Sequence, residues 1–133
     1  MISLKEAIKF HGHLGPYLIL GIIAGNLGLK KLGVKKYFDL RVLVYGANKK
    51  PKSCLIDGLQ LSTGATYGKG NIQKYAAKEI KIVIRNLKNN KAVIITLGEF
   101  LEERLAALKG HSDSENFAKG LLKSDYREIF RLN

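Results

Sequence analysis

The chain has 133 residues, enough for one ordinary domain with its own core. An apolar fraction of 46% excludes a disordered chain, and a single cysteine excludes an internal disulfide and fits a reducing, cytoplasmic interior. Twenty-three Lys and Arg against eleven Asp and Glu leave a net charge of +12, which suits an anionic substrate, an acidic partner, a nucleic acid or simply a lysine-rich surface.

The cations are scattered over positions such as Lys30, Lys31, Lys35, Lys36, Lys49, Lys50, Lys52, Lys88 and Lys91, with no long run of like charge. No aromatic residues are interleaved with them along the chain as a stacking platform needs, which disfavours nucleic acid.

Ser3-Leu4-Lys5-Glu6 is a capping box, so a short helix is expected through Phe10. His11-Gly12-His13-Leu14-Gly15-Pro16 interrupts it. Pro16 suits the first turn of a second helix to about Lys31, with Gly33 as its stop. The apolar stretch Leu14–Leu29 is too short and too rich in glycine for a membrane span and reads as a buried helix. Gly21 and Gly25, four apart, share a face that would let another backbone approach closely, within or between chains.

Phe38–Tyr45 reads as a strand with Leu40, Val42 and Val44 on one face. Asn48–Lys52 is a turn, and Ser53 is placed to cap a helix containing Cys54, Asp57 and Leu61. That helix ends in the loop Gly64–Asn71. Glu79–Asn86 and Ala92–Leu97 read as hairpin-paired strands around Asn89-Asn90. A helix from Thr96-Leu97-Gly98-Glu99 to Lys109 follows, stopped by Gly110. The capping box Ser112-Asp113-Ser114-Glu115 opens another through Leu122, and Asp125–Asn133 is a final turn or edge strand. With no repeat or linker, residues 1–133 read as one α+β domain.

Two stretches concentrate the chemistry. His11 and His13, two apart, would face the same way in an extended segment and converge on one ion or substrate. Cys54 falls in the first turn of its helix, where the dipole and free N–H groups favour thiolate, as a metal ligand or nucleophile requires; the alternative is a buried cysteine acting as a small apolar residue. Asp57, on the same helix face, is placed to orient a histidine or take a proton, or is an ordinary solvated acid. The Gly64–Asn71 loop does not fit a P-loop, because Gly64 and Gly68 are too close and Gly70 follows Lys69 where Ser or Thr is needed. Its backbone with Lys69 could form an anion nest, or its glycines could serve only a tight turn. His111 reads as loop chemistry without an assigned role.

Together these segments resemble the FmdE family, which takes its name from a component of formylmethanofuran dehydrogenase. The family's first motif has the form H-G-H-x-C-P-G, met here by His11, Gly12, His13 and Pro16, with Gly21 in the helix that follows. Its second runs C-x-x-D-A-x-Q and then T-G-C-T-x-G-K-G-N, met by Cys54, Asp57, Gln60, Thr63, Gly64, Thr66, Gly68, Lys69, Gly70 and Asn71. Leu121, Leu122, Tyr126, Ile129 and Phe130 resemble the closing segment. The chain departs from the pattern at Gly15 and Ala65, where the family has cysteine, and at Tyr17, where it has glycine. It reads as the short form without a C-terminal zinc ribbon.

The resemblance implies an α+β fold with a mixed sheet packed against helices, in the topology of the glyceraldehyde-3-phosphate dehydrogenase catalytic domain. It also implies a homodimer and a metal-binding or redox-associated pocket between the motifs. In this chain His11, His13 and Cys54 are the expected metal ligands, for a divalent transition metal with zinc foremost. Cys54, Asp57 and His11 are the expected chemical groups. Thr63, Thr66, Lys69 and Asn71 are the expected ligand-binding residues, with Thr66 and Lys69 lining the pocket for a small anion. The implied setting is an archaeal-type, methanogenesis-related protein of one-carbon or molybdenum/tungsten oxidoreductase metabolism, partnered by an oxidoreductase. The alternative is a non-catalytic small-anion or partner-binding module whose metal site has degenerated.

Overall fold

Helix α1 (Leu4–His11) starts as its capping box requires, with the Ser3 hydroxyl oxygen accepting from the Glu6 N–H at 3.1 Å. The structure is a computed structural model that describes residues 2–133, with five strands and six helices. Gly12 closes α1 in the left-handed conformation at φ 112°, which a side-chain-bearing residue adopts only with strain. His11 is therefore the last helical residue and not part of an extended segment. The strand-like alternation expected for His11 and His13 does not apply.

Helix α2 (Pro16–Leu32) is the central element, with Leu18, Ile19 and Leu20 wholly buried and Gly33 ending it in the left-handed conformation. Each large aliphatic side chain buried here contributes about 1.5–3 kcal/mol. Its glycine face meets α3 (Cys54–Thr63) of the same chain. A Cβ on Gly21 would collide with the Leu55 carbonyl oxygen, and one on Gly58 with the Leu18 carbonyl oxygen. The buried Ser62 hydroxyl lies 2.8 Å from the Gly58 carbonyl oxygen and 3.1 Å from that of Gly21, so its proton is shared across the helix contact.

Five strands form one mixed sheet in the order β2-β1-β3-β4-β5, from β1 (Leu40–Tyr45), β2 (Ile72–Tyr75), β3 (Lys81–Asn86), β4 (Ala92–Leu97) and β5 (Phe130–Leu132). β1 pairs in parallel with β2, and every other pairing is antiparallel. Strand β2 is an addition to the expected elements. It hides in the sequence because only Ile72 of its four residues is buried. Phe38, expected in β1, lies outside it and is 75% exposed.

Helices α4 (Glu99–Ala106), α5 (Gly110–Lys123) and α6 (Tyr126–Ile129) complete the chain. Helix α4 ends before the expected Lys109. Helix α5 begins two residues ahead of the expected Ser112, and Asp113 accepts from the Lys109 N–H at 3.2 Å. His111 thus lies in its first turn. None of the helices among the described residues is long and apolar enough to cross a membrane.

The helix-facing side of the sheet carries buried Leu40, Val42, Val44, Ile82, Ile84, Val93, Ile95 and Leu97. On the opposite face every side chain keeps some solvent exposure. The register aligns these into rows across the strands. Tyr75, Tyr45, Lys81, Thr96 and Arg131 form one, Gln73, Leu43, Val83 and Ile94 the next, and Arg41, Arg85 and Ala92 a third.

Candidate functional site

The end of α1, the start of α2 and the start of α3 meet around His11. Its Nδ1 lies 2.6 Å from the Asp57 Oδ2. A carboxylate only accepts, so Nδ1 carries the shared proton, and in the neutral ring Nε2 is then the lone-pair nitrogen. The imidazole is nearly buried, with 7% of the side chain exposed, and Nε2 is buried with no hydrogen-bond partner. Buried polar atoms are normally satisfied. An imidazole oriented by a carboxylate through one nitrogen, with the other left free, is the arrangement of a metal-ligating or proton-accepting histidine.

His13 lies beyond the Gly12 turn with its ring centroid 4.9 Å from that of His11, and His111 stands edge-on to His13 at 6.0 Å. All three histidines line one cavity of about 380 Å³, together with Tyr17, Cys54 and Lys50. An adjoining cavity is lined by His11, His13, Lys50, Ser53, Cys54 and Asp57. His11, His13, Cys54 and Asp57 thus share the wall of one cavity, although no three of these four stand together as a set for one metal ion. His111 joins His11, His13 and Cys54 in the other, and nothing along the sequence marks that residue beyond its being the third histidine.

Cys54 differs from expectation in its electrostatics. Ser53 adopts a helical conformation and its side chain makes no capping bond. The N–H groups of Ser53, Cys54, Leu55 and Ile56 donate to the carbonyls of Lys49, Pro51, Lys52 and Ser53, so the preceding turn consumes donors that would otherwise face an anion. Burial pushes the Cys54 thiol up and Asp57 raises it further, against the lowering effect of Lys50. The thiolate stabilisation expected at this helix start is corrected accordingly. Tyr17 is pushed up to about 12, first by burial and then by the Glu102 carboxylate.

Among the described residues no group of three His, Cys, Asp or Glu side chains stands arranged to hold a metal ion. His11 Nε2 is the donor already free for one, and Cys54 and His13 are its neighbours on the cavity walls. Gly15 lines the cavity shared by the three histidines, and a Cβ there would lie 2.9 Å from His13 Cε1 and 3.3 Å from its Nδ1. A thiol at position 15 would thus sit against His13. Ala65, the other departure from the family motif, is wholly buried and lines neither cavity.

The second motif divides between two places. Thr63, Thr66, Lys69 and Asn71 line neither cavity, which corrects the expectation that Thr66 and Lys69 line the pocket. Their polar atoms hold the loop together. Thr63 Oγ1 donates to the Leu59 carbonyl at 2.6 Å and accepts from the Ala65 N–H at 3.1 Å. Asn71 Nδ2 donates to the carbonyls of Tyr37 at 2.7 Å and Leu40 at 3.3 Å, and its Oδ1 accepts from the Thr66 N–H at 3.0 Å. Lys69 Nζ donates to Thr66 Oγ1 at 3.2 Å and lies over the rings of Tyr37 and Phe38.

The fold and the histidine–cysteine pocket define a small mixed α/β domain with a polar centre where three helix ends meet. Residues 10–131 match the family described as FmdE, molybdenum formylmethanofuran dehydrogenase operon, and the chain belongs to that family. It is similar in fold to the crystal structure of a tungsten formylmethanofuran dehydrogenase FmdE-like protein from Syntrophus aciditrophicus. The TM-score is 0.69 at 21% identity, covering 98% of this chain and 68% of that one. A curated relative from Archaeoglobus fulgidus, named "Probable S-adenosyl-L-methionine-binding protein", is 33% identical over 75 residues. That match covers 52% of this chain and 19% of the relative, so the chain spans about a fifth of that protein's length.

Proposed function

We propose that this FmdE-type chain is a metal-holding accessory protein of formylmethanofuran-type or other molybdenum/tungsten oxidoreductase metabolism, with its metal in the His11–Cys54 pocket. The observation that carries the reading is the unpartnered, buried Nε2 of an imidazole whose Nδ1 is already held by Asp57. His11 would be the first ligand, with Cys54 and His13 completing a protein set for a divalent transition metal, zinc foremost, since imidazole and thiolate are the donors such metals take. Asp57 fixes the His11 tautomer and aims Nε2. Tyr17 and the apolar residues of the cavity shared by the three histidines restrict water, and Lys50 at its wall favours an anionic ligand. A bound zinc would supply Lewis-acid polarisation of a small ligand's oxygen.

Cobalt titration of the anaerobic protein tests this directly. The expected result is a visible ligand-field spectrum with a thiolate charge-transfer band that disappears in Cys54→Ser and weakens in His11→Ala. A second reading is favoured by the lack, among the described residues, of three converging donors and by Gly15 where a thiol would sit beside His13. In it the same pocket takes a small anion or a partner side chain without metal. A featureless cobalt spectrum in the unmodified protein would select that reading and remove the first.

A further inference from the structure

From the open face of the sheet we infer a second binding surface, separate from the histidine pocket, for single-stranded nucleic acid. Its registered rows contain the cations Arg41, Lys81, Arg85 and Arg131 and no carboxylate. Tyr45 and Tyr75 stack on each other with centroids 5.2 Å apart, and Lys81 Nζ lies 4.7 Å from the Tyr45 ring centroid. Tyr75, on the edge strand, is 42% exposed and offers further ring surface.

These residues come from four strands, which is why the chain itself shows no alternation of aromatic and basic residues. Folding brings the two kinds together. Unpaired bases stack on aromatic rings whatever their sequence, and a groove of cations follows the phosphates. At the usual strand spacing the five-stranded row is about 19 Å across, a span that suits the smallest single-strand sites of about four nucleotides. The aliphatic centre of Leu43, Val83 and Ile94 supplies flat apolar area beside the tyrosines. A duplex has no free base faces to offer such a surface.

A second copy of the chain is the rival occupant. Two such faces would bring their arginines and lysines together with no carboxylate in the registered rows to answer them, on a chain already at +12. Like charges so opposed disfavour association, and a polyanion answers the same surface with opposite charge.

The experiment is fluorescence anisotropy of the full chain with a labelled twelve-nucleotide oligouridylate and a duplex of equal length, at 50 and 200 mM salt. Binding of the single strand in preference to the duplex is expected. With three or four phosphates neutralised, the affinity should fall about twenty- to fifty-fold over that salt range. The charge-preserving double variant Tyr45→Ala/Tyr75→Ala should weaken binding about tenfold or more, while Tyr45→Phe/Tyr75→Phe should restore it. Both variants are checked for fold by circular dichroism. Equal binding by the alanine and phenylalanine pairs would reduce the interaction to bulk charge and overturn the proposal. So would absence of binding at 50 mM salt, or a sedimenting dimer that dissociates when Arg41 and Arg85 are replaced by Glu.

Discussion

The two halves of the second motif lie on one helix and the loop that follows it, yet they treat their polar atoms in opposite ways. At the start of α3, Asp57 reaches out of its own segment to His11 and leaves Nε2 of that ring buried and unpartnered. At its end, Thr63, Thr66 and Asn71 turn inward, and the donors and acceptors they carry are taken up by the loop's own backbone and by Tyr37 and Leu40. A polar group satisfied within its own segment holds shape. One left unsatisfied after its neighbours are paired is where a ligand gains most, because the desolvation cost has already been met in folding. Density of polar residues and glycines in a sequence does not separate the two cases.

The largest effect that would sharpen this contrast is expected at the loop. Asn71→Ala leaves two carbonyls and an N–H without partners and should cost about 3 kcal/mol, lowering Tm by roughly 10 °C. Pocket ligand binding should be unchanged at temperatures where the variant is folded. Differential scanning calorimetry reads the first, and a shift in the pocket's metal affinity would break the separation of the two regions.

Alkaline unfolding probes the pocket wall through Tyr17. Its folded pKa of about 12 lies above the ordinary value of 10.0, so between these the native state holds a proton that the unfolded state has released. Stability from this residue is therefore complete below pH 10 and is lost as pH rises through about 12, to the extent of about 2–3 kcal/mol. Tyr17 should be the late phenol in an ultraviolet titration, and Tyr17→Phe should flatten the fall in stability over that window.

At the pocket itself, Asp57→Asn should weaken metal binding by about ten- to a hundredfold with little change in Tm, as loss of an orienting partner does. Unchanged affinity would mean that Nε2 is not the atom that matters. The smallest effect belongs to Lys69→Ala, expected at about 0.5 kcal/mol and without effect on the pocket, because the side chain is exposed, hydrogen-bonds only to Thr66 and otherwise lies over the exposed rings of Tyr37 and Phe38.

Much of the framework was legible because it rests on local rules. The Ser3 cap, Pro16 at a helix start, Gly33 at a helix end and the alternation of β1, β3 and β4 all fall where spacing puts them. The shared face of Gly21 and Gly25 was readable as a place of close approach, and α3 of the same chain is what approaches. Other features depend on distant pairing. β2 has one buried residue and is a strand only because β1 lies beside it. His111 joins the pocket because α5 packs against α2. The tyrosines and cations of the open face are neighbours only across strands. Cys54 fails for a local reason, since the turn before α3 had no signal that it would continue helical hydrogen bonding into the helix and use up its free N–H groups.

The central claim is that His11 Nε2 is a ligand-holding atom, and metal analysis of untagged protein purified anaerobically tests it most directly. Plasma mass spectrometry should find near-stoichiometric transition metal, mainly zinc, that falls to background in His11→Ala while the fold persists. No metal in the unmodified protein, even after incubation with zinc and desalting, would contradict the account and leave the pocket to a metal-free ligand.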